Sequence, residues 1–157
     1  MSSVHGGNQG FDITLMAATT TLATSTGQYR AVYMAGDNTV GIINTLTAIP
    51  LYIGITQDYA KAVNGAIRVR VGGISKAILS GGTTTTDAVT GSFLTFDVGT
   101  TTCWGTFKLQ ARTQADPTAG SVFIAGKALM ATAGTDSVYD ILMLQGFSTA
   151  ITTTVGS

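Results

Sequence analysis

Between positions 65 and 79 the chain reads Gly-Ala-Ile-Arg-Val-Arg-Val-Gly-Gly-Ile-Ser-Lys-Ala-Ile-Leu, and no other stretch restricts the fold as much. Ile67, Val69 and Val71 alternate with Ala66, Arg68 and Arg70, the period of a strand with one buried and one wet face. Gly72-Gly73 either closes a two-residue hairpin or bends one long strand. A hairpin carries Lys76 onto the apolar face beside Ile78. An unbroken phase turns Ile67, Val69, Val71, Gly73, Ser75, Ala77 and Leu79 inward and leaves Arg68, Arg70 and Lys76 outside. Burying an unpaired ammonium is costly, so the kinked strand is the expectation.

The surroundings agree with a β protein. All eight acidic residues are Asp, and Thr and Gly are abundant, which removes helix formers and supplies strand and turn formers. Short strands are expected over 11–16, 29–34, 39–44, 51–56, 93–98, 103–109, 121–131 and 137–145. In 93–98, Leu94, Phe96 and Val98 face inward while Phe93, Thr95 and Asp97 face out. Gly36-Asp37-Asn38 and Asn64-Gly65 are turns. One helical turn is expected over 57–63 with Asp58 as its cap. Segment 17–26 is low-complexity Ala/Thr. A weak echo links 52–56 to 124–129, each framing a glycine, as two edges of one barrel.

The expected fold is therefore all-β: a compact barrel or sandwich-like domain with extended arms and at most one or two short helical turns. It divides into a glycine-rich flexible arm over 1–12, a single β domain over 13–146 with long loops near 80–92 and 99–120, and a Thr-rich tail over 147–157.

Charged residues make up 10% of the chain, against roughly 25% in ordinary soluble domains, and the net charge is zero. Such a surface expects to be covered, by copies of itself or by a larger assembly. It offers no electrostatic footprint for nucleic acid or for an anionic membrane, and no apolar run reaches the length of a spanning helix. Residues 1–10 carry neither a basic nor an apolar export region, so synthesis in a cytoplasm is expected.

Catalytic chemistry finds little to build on. The sole histidine, His5, lies on the arm, where nothing fixes its geometry, and Cys103 has no base to activate it. Asp37, Asp58 and Asp116 read as turn residues, and no calcium loop or phosphate loop is present. The expectation is a protein without catalytic residues, cofactor or metal. Arg68 and Arg70 read first as a solvated or cross-strand-paired face, with an acidic partner surface as the alternative, and Trp104, Tyr52, Phe107 and Phe147 read first as core, although Trp and Tyr are also the usual interface anchors.

Ile53-Gly54-Ile55-Thr56, then Asn64-Gly65 and Val69-Arg70-Val71-Gly72-Gly73-Ile74, then Gly126-Lys127-Ala128-Leu129 followed by Ala133-Gly134 and 138–144, carry a resemblance. Across roughly 50–145 the chain resembles the small all-β bacteriophage capsid decoration, or cement, proteins. Segments 17–26 and 99–120 depart from that pattern. The resemblance implies a structural protein, made in the host cytoplasm and resident on the virion exterior. It implies binding to the major capsid protein and to itself, as a homotrimer, bridging capsomers by many modest contacts. Val4, His5, Phe11, Arg68, Arg70, Lys76 and Trp104 are the expected interface residues. The competing reading is a carbohydrate- or cell-surface-binding β module, with Trp104 and Tyr52 as its stacking platform, or a phage tail or fibre component.

Overall fold

The computed structural model describes residues 10–80, 90–98, 104–109, 122–129, 138–144 and 148–149. Eleven strands are present in these segments: β1 (Gly10–Ala17), β2 (Ala31–Gly36), β3 (Thr39–Ile42), β4 (Tyr52–Thr56), β5 (Ala66–Ile78), β6 (Phe93–Asp97), β7 (Thr106–Leu109), β8 (Val122–Phe123), β9 (Gly126–Ala128), β10 (Val138–Met143) and β11 (Ser148–Thr149). Among the described residues, helix is confined to short 3-10 segments at Thr21–Ala23, Ser25–Gly27 and Leu46–Leu51.

β5 runs unbroken for 13 residues. Ile67, Val69, Ser75, Ala77 and Leu79 are buried while Arg68 and Lys76 are exposed, so the side-chain phase survives the Gly72-Gly73 pair. The strand kinks and does not turn back. Gly73 takes φ 86°, a left-handed value that glycine adopts without steric cost. At this residue the partners change: β1 pairs antiparallel with β5 from Ala66 to Gly73, and β10 pairs with it from Ile74 to Ile78. The β1 ladder also slips between Phe11, opposite Gly72, and Asp12, opposite Arg70, which leaves Val71 as a bulge.

The first half of β5 closes a five-stranded barrel in the order β1-β3-β2-β4-β5 and back to β1. Its only parallel pairing joins β1 to β3 through Met16–Thr39 and Ala17–Val40. The second half leads into a sheet ordered β5-β10-β9-β6-β7. Leu79, just past β5, bridges Phe107 of β7 and draws the far edge of that sheet back towards its start.

Each half of β5 thus serves a different core. Ile67 and Val69 fill the barrel with Leu15, Ala17, Leu22, Val32, Val40, Ile42 and Ala60. Ala77 and Leu79 belong to a second core with Ile43, Ile55, Leu94, Phe96, Phe107 and Ile141. Burying a Leu, Ile or Phe side chain contributes about 1.5–3 kcal/mol, so both cores are substantial sources of stability. β2 feeds both by alternation, Val32 into the barrel and Ala31 into the second core.

Several expectations are corrected. Residues 57–63 form no helix, and the Asp58 carboxylate accepts the Arg68 backbone N–H at 2.8 Å instead of capping a turn. β1 agrees with the strand expected over 11–16, so the β1–β5 ladder begins inside the segment assigned to the arm, and Ser148–Thr149, expected in the tail, pairs with Val122–Phe123. Asp97 faces inward, where Ser80 Oγ donates to it at 2.5 Å and Lys108 Nζ lies 3.8 Å away. The 52–56 and 124–129 echo does not mark two edges of one barrel, because β4 closes the barrel and β9 lies inside the second sheet. Its glycines share a different role: a Cβ at Gly54 would collide with the Arg70 carbonyl, and one at Gly126 would lie 2.7 Å from the Leu142 carbonyl. Segment 17–26 contains the 3-10 turn that plants Leu22 in the barrel, and Pro50 sits inside the third 3-10 segment. Val4, His5, Cys103, Asp116 and the expected elements over 81–89 and 110–120 lie outside the described residues.

Candidate partner interface

β1 carries the most exposed apolar side chain described, Phe11, at 79% exposure. Period-2 alternation places Phe11, Ile13, Leu15 and Ala17 on one face of the strand. Leu15 and Ala17 are buried in the barrel, whereas Phe11 and Ile13 lie beyond the closed part and stay exposed. The backbone explains the difference. β3 meets β1 only at Met16 and Ala17, so among the described residues the Gly10–Leu15 edge turned away from β5 has no ladder partner. Six residues of open strand edge, with two exposed apolar side chains along them, form a template for another strand.

This projecting end is fastened by charge. Arg70 donates from Nε to Asp12 Oδ1 at 2.7 Å and from a terminal nitrogen to Oδ2 at 3.1 Å, and its other terminal nitrogen donates to the Ile74 carbonyl at 2.9 Å. The two side chains are only 15% and 13% exposed. The Arg70 hydrogen bond is the main reason the Asp12 carboxyl is held below its ordinary pKa of 3.8, and the nearby Arg68 adds to it. Arg70 is therefore not a free, partner-facing cation: it is spent inside the chain, across the β1–β5 ladder and along the kink. Arg68 is different. Its side chain is 55% exposed, with Nε at 3.8 Å from both Asp12 and Asp58, and pairs this loose leave it open to solvent.

The remaining expected anchors separate from this edge. Lys76 is exposed on the second sheet, opposite Asp140. Trp104 is half-buried against the barrel core, and its carbonyl accepts from Arg30 at 3.0 Å. Tyr52 packs into the second core with its ring centroid 4.8 Å from that of Phe96, and burial raises its phenol pKa far above the ordinary value. Trp104 and Tyr52 thus do not make a shared stacking platform. Ile13 was not singled out by sequence, although its two-residue spacing from Phe11 places it on the same face.

Among the described residues, no group of three or more His, Cys, Asp or Glu side chains is placed to hold a metal ion. No helix among them is long and apolar enough to cross a membrane. No protein-family model matches the chain, and comparison with curated proteins returns no significant relative.

Proposed function

We propose that this chain is a structural phage head protein of the decoration type, which adheres to the outer surface of an icosahedral capsid and bridges its subunits. The observation that carries the reading is the open β1 edge with Phe11 and Ile13 exposed along it. An extended segment of a capsid subunit added to this edge gains main-chain hydrogen bonds and two apolar contacts without any rearrangement of the barrel. Arg68, 55% exposed at the rim, favours an acidic neighbour. The low charge and the resemblance described above support the same reading. One such contact is modest, and repetition over a head multiplies it.

The experiment is co-sedimentation of the full chain with expanded, undecorated icosahedral phage heads. Phe11→Ser and deletion of residues 2–9 should each reduce binding by about tenfold or more while the thermal melt stays cooperative, because Phe11 contributes little to either core. Undiminished binding by both variants overturns the assignment. The deletion stops at residue 9 because Gly10 is already in the ladder.

A further inference from the structure

The outer face of the second sheet poses a separate problem. On β5 it presents Ile74, Lys76 and Ile78, and on β10, directly opposite in register, Leu142, Asp140 and Val138. Lys76, Val138 and Leu142 are exposed and the other three half-buried, while the alternate residues Ser75, Ala77 and Ile141 fill the core behind. A solvated sheet face ordinarily carries polar side chains. Across β5 and β10 this one carries four branched apolar side chains around one cation and one anion, and Lys127 of β9, opposite Leu142, borders the stripe with its ammonium over the Phe93 ring. Among the described residues neither Lys76 nor Asp140 forms an ion pair, although they face each other across the ladder.

We infer that this face is an isologous interface, and that its occupant is a second copy of the chain packed sheet to sheet about a two-fold axis parallel to β5 and β10. Symmetry carries the argument. An axis lying between the two faces and along the strands exchanges the β5 side with the β10 side at unchanged height. It sets Lys76 of one copy over Asp140 of the other, and repeats that contact once more. The same operation sets Ile74 over Leu142 and Ile78 over Val138, apolar on apolar at both ends. Every side chain on the stripe then meets a complement, which is the requirement for a closed two-fold contact. Two charge pairs flanked by apolar contacts are shielded from water, where they strengthen and fix the register. Aligned packing of two sheets at about 10 Å is an ordinary geometry for such faces. The interface is remote in sequence from the β1 edge and does not depend on the capsid reading.

Charge reversal tests it in trans, with the full chain, by sedimentation equilibrium. The wild type should form a species of twice the chain mass. K76D alone places two carboxylates opposite each other twice over, and D140K alone places two ammonium groups so. Each should weaken the dimer at least about tenfold, since like charges opposed across an interface cost several kcal/mol. Mixing the K76D and D140K chains pairs opposite charges at both positions, and a mixed dimer should form where neither variant dimerises alone. Only an intermolecular contact predicts that rescue, and rescue also shows that both variants fold. A wild type that stays monomeric, a trimer indifferent to both reversals, or a mixture with no regained dimer overturns the inference.

Discussion

Arg70 and Asp12 form a two-toothed clasp between the first strand and the longest one, with both guanidinium–carboxylate hydrogen bonds at 3.1 Å or less and both side chains largely withdrawn from water. They are not equivalent members. Asp12→Ala leaves Arg70 its contact with the Ile74 carbonyl, whereas Arg70→Ala removes the clasp and that contact together. Losing one partner of a mostly buried charged pair costs about 2–4 kcal/mol. Both single variants should therefore lower the urea midpoint, Arg70→Ala more than Asp12→Ala. The double variant should fall short of the sum by about 1–2 kcal/mol. Additive effects would mean that the clasp carries no coupling energy.

The same pair sets an acid limit. Asp12 is held below 3.8 in the folded chain, so the folded state binds its proton less readily than the unfolded state. The stabilisation is complete above the unfolded carboxyl value, about 4, and is lost as pH falls from there through the depressed folded value. Asp12→Asn should flatten the decline of the denaturant midpoint as pH falls below about 4, relative to the wild type. An identical acid slope in the two proteins would assign the acid sensitivity to other carboxylates.

Three glycines along β4 and β5 should respond to alanine in different ways. At Gly54 an added Cβ meets the Arg70 carbonyl oxygen, and Val69 Cγ1 is 2.9 Å away, so the β4–β5 ladder must part. Gly54→Ala should cost about 3 kcal/mol or more. Gly72 has open space around the built Cβ, and alanine there should be neutral or stabilise by up to about 1 kcal/mol. Gly73→Ala lies between them, at about 1–2 kcal/mol, because its φ of 86° strains any L side chain. Melting temperatures in the order Gly72, Gly73, Gly54 from highest to lowest are the check.

β5 shows what was legible in the sequence. Alternation of Ile67, Val69, Ser75, Ala77 and Leu79 fixes the buried face locally, and the cost of burying Lys76 was enough to choose a kink over a hairpin. What alternation could not reveal is that the inward row serves two cores, since that depends on β1 leaving and β10 arriving at Gly73. Arg70 and Asp97 follow the same logic. Both sit at outward positions by period, yet Asp12 and Ser80, 58 and 17 residues away in sequence, turn them into internal partners. At the candidate edge, the sequence offers Phe11 as the start of a strand and as an expected interface residue, and its exposure comes from the structure. The open edge beneath it follows from the shortness of the β1–β3 pairing, a long-range property with no local signature.

Thr56 provides the last prediction. It is fully buried at the end of β4, and its hydroxyl donates to the Gly27 carbonyl at 2.6 Å while accepting the Arg30 N–H at 2.9 Å. The backbone of Thr56 also accepts from Tyr29 and donates to the Arg30 carbonyl, both at 3.0 Å. Together these bonds hold the 27–30 turn, in which Tyr29 takes the left-handed φ of 60° that costs a non-glycine residue about 1 kcal/mol or more. Thr56→Val keeps the shape but removes the hydroxyl, leaving the Gly27 carbonyl without that donor, and should cost about 2 kcal/mol. Thr56→Ser keeps the hydroxyl, loses one methyl and should cost about 1 kcal/mol. Amide hydrogen exchange distinguishes a local from a global effect. In Thr56→Val the Arg30 amide should lose more protection than the amides of Val69 and Val40 deep in the barrel. Uniform loss across all three would mean that Thr56 supports the barrel as a whole and not this turn.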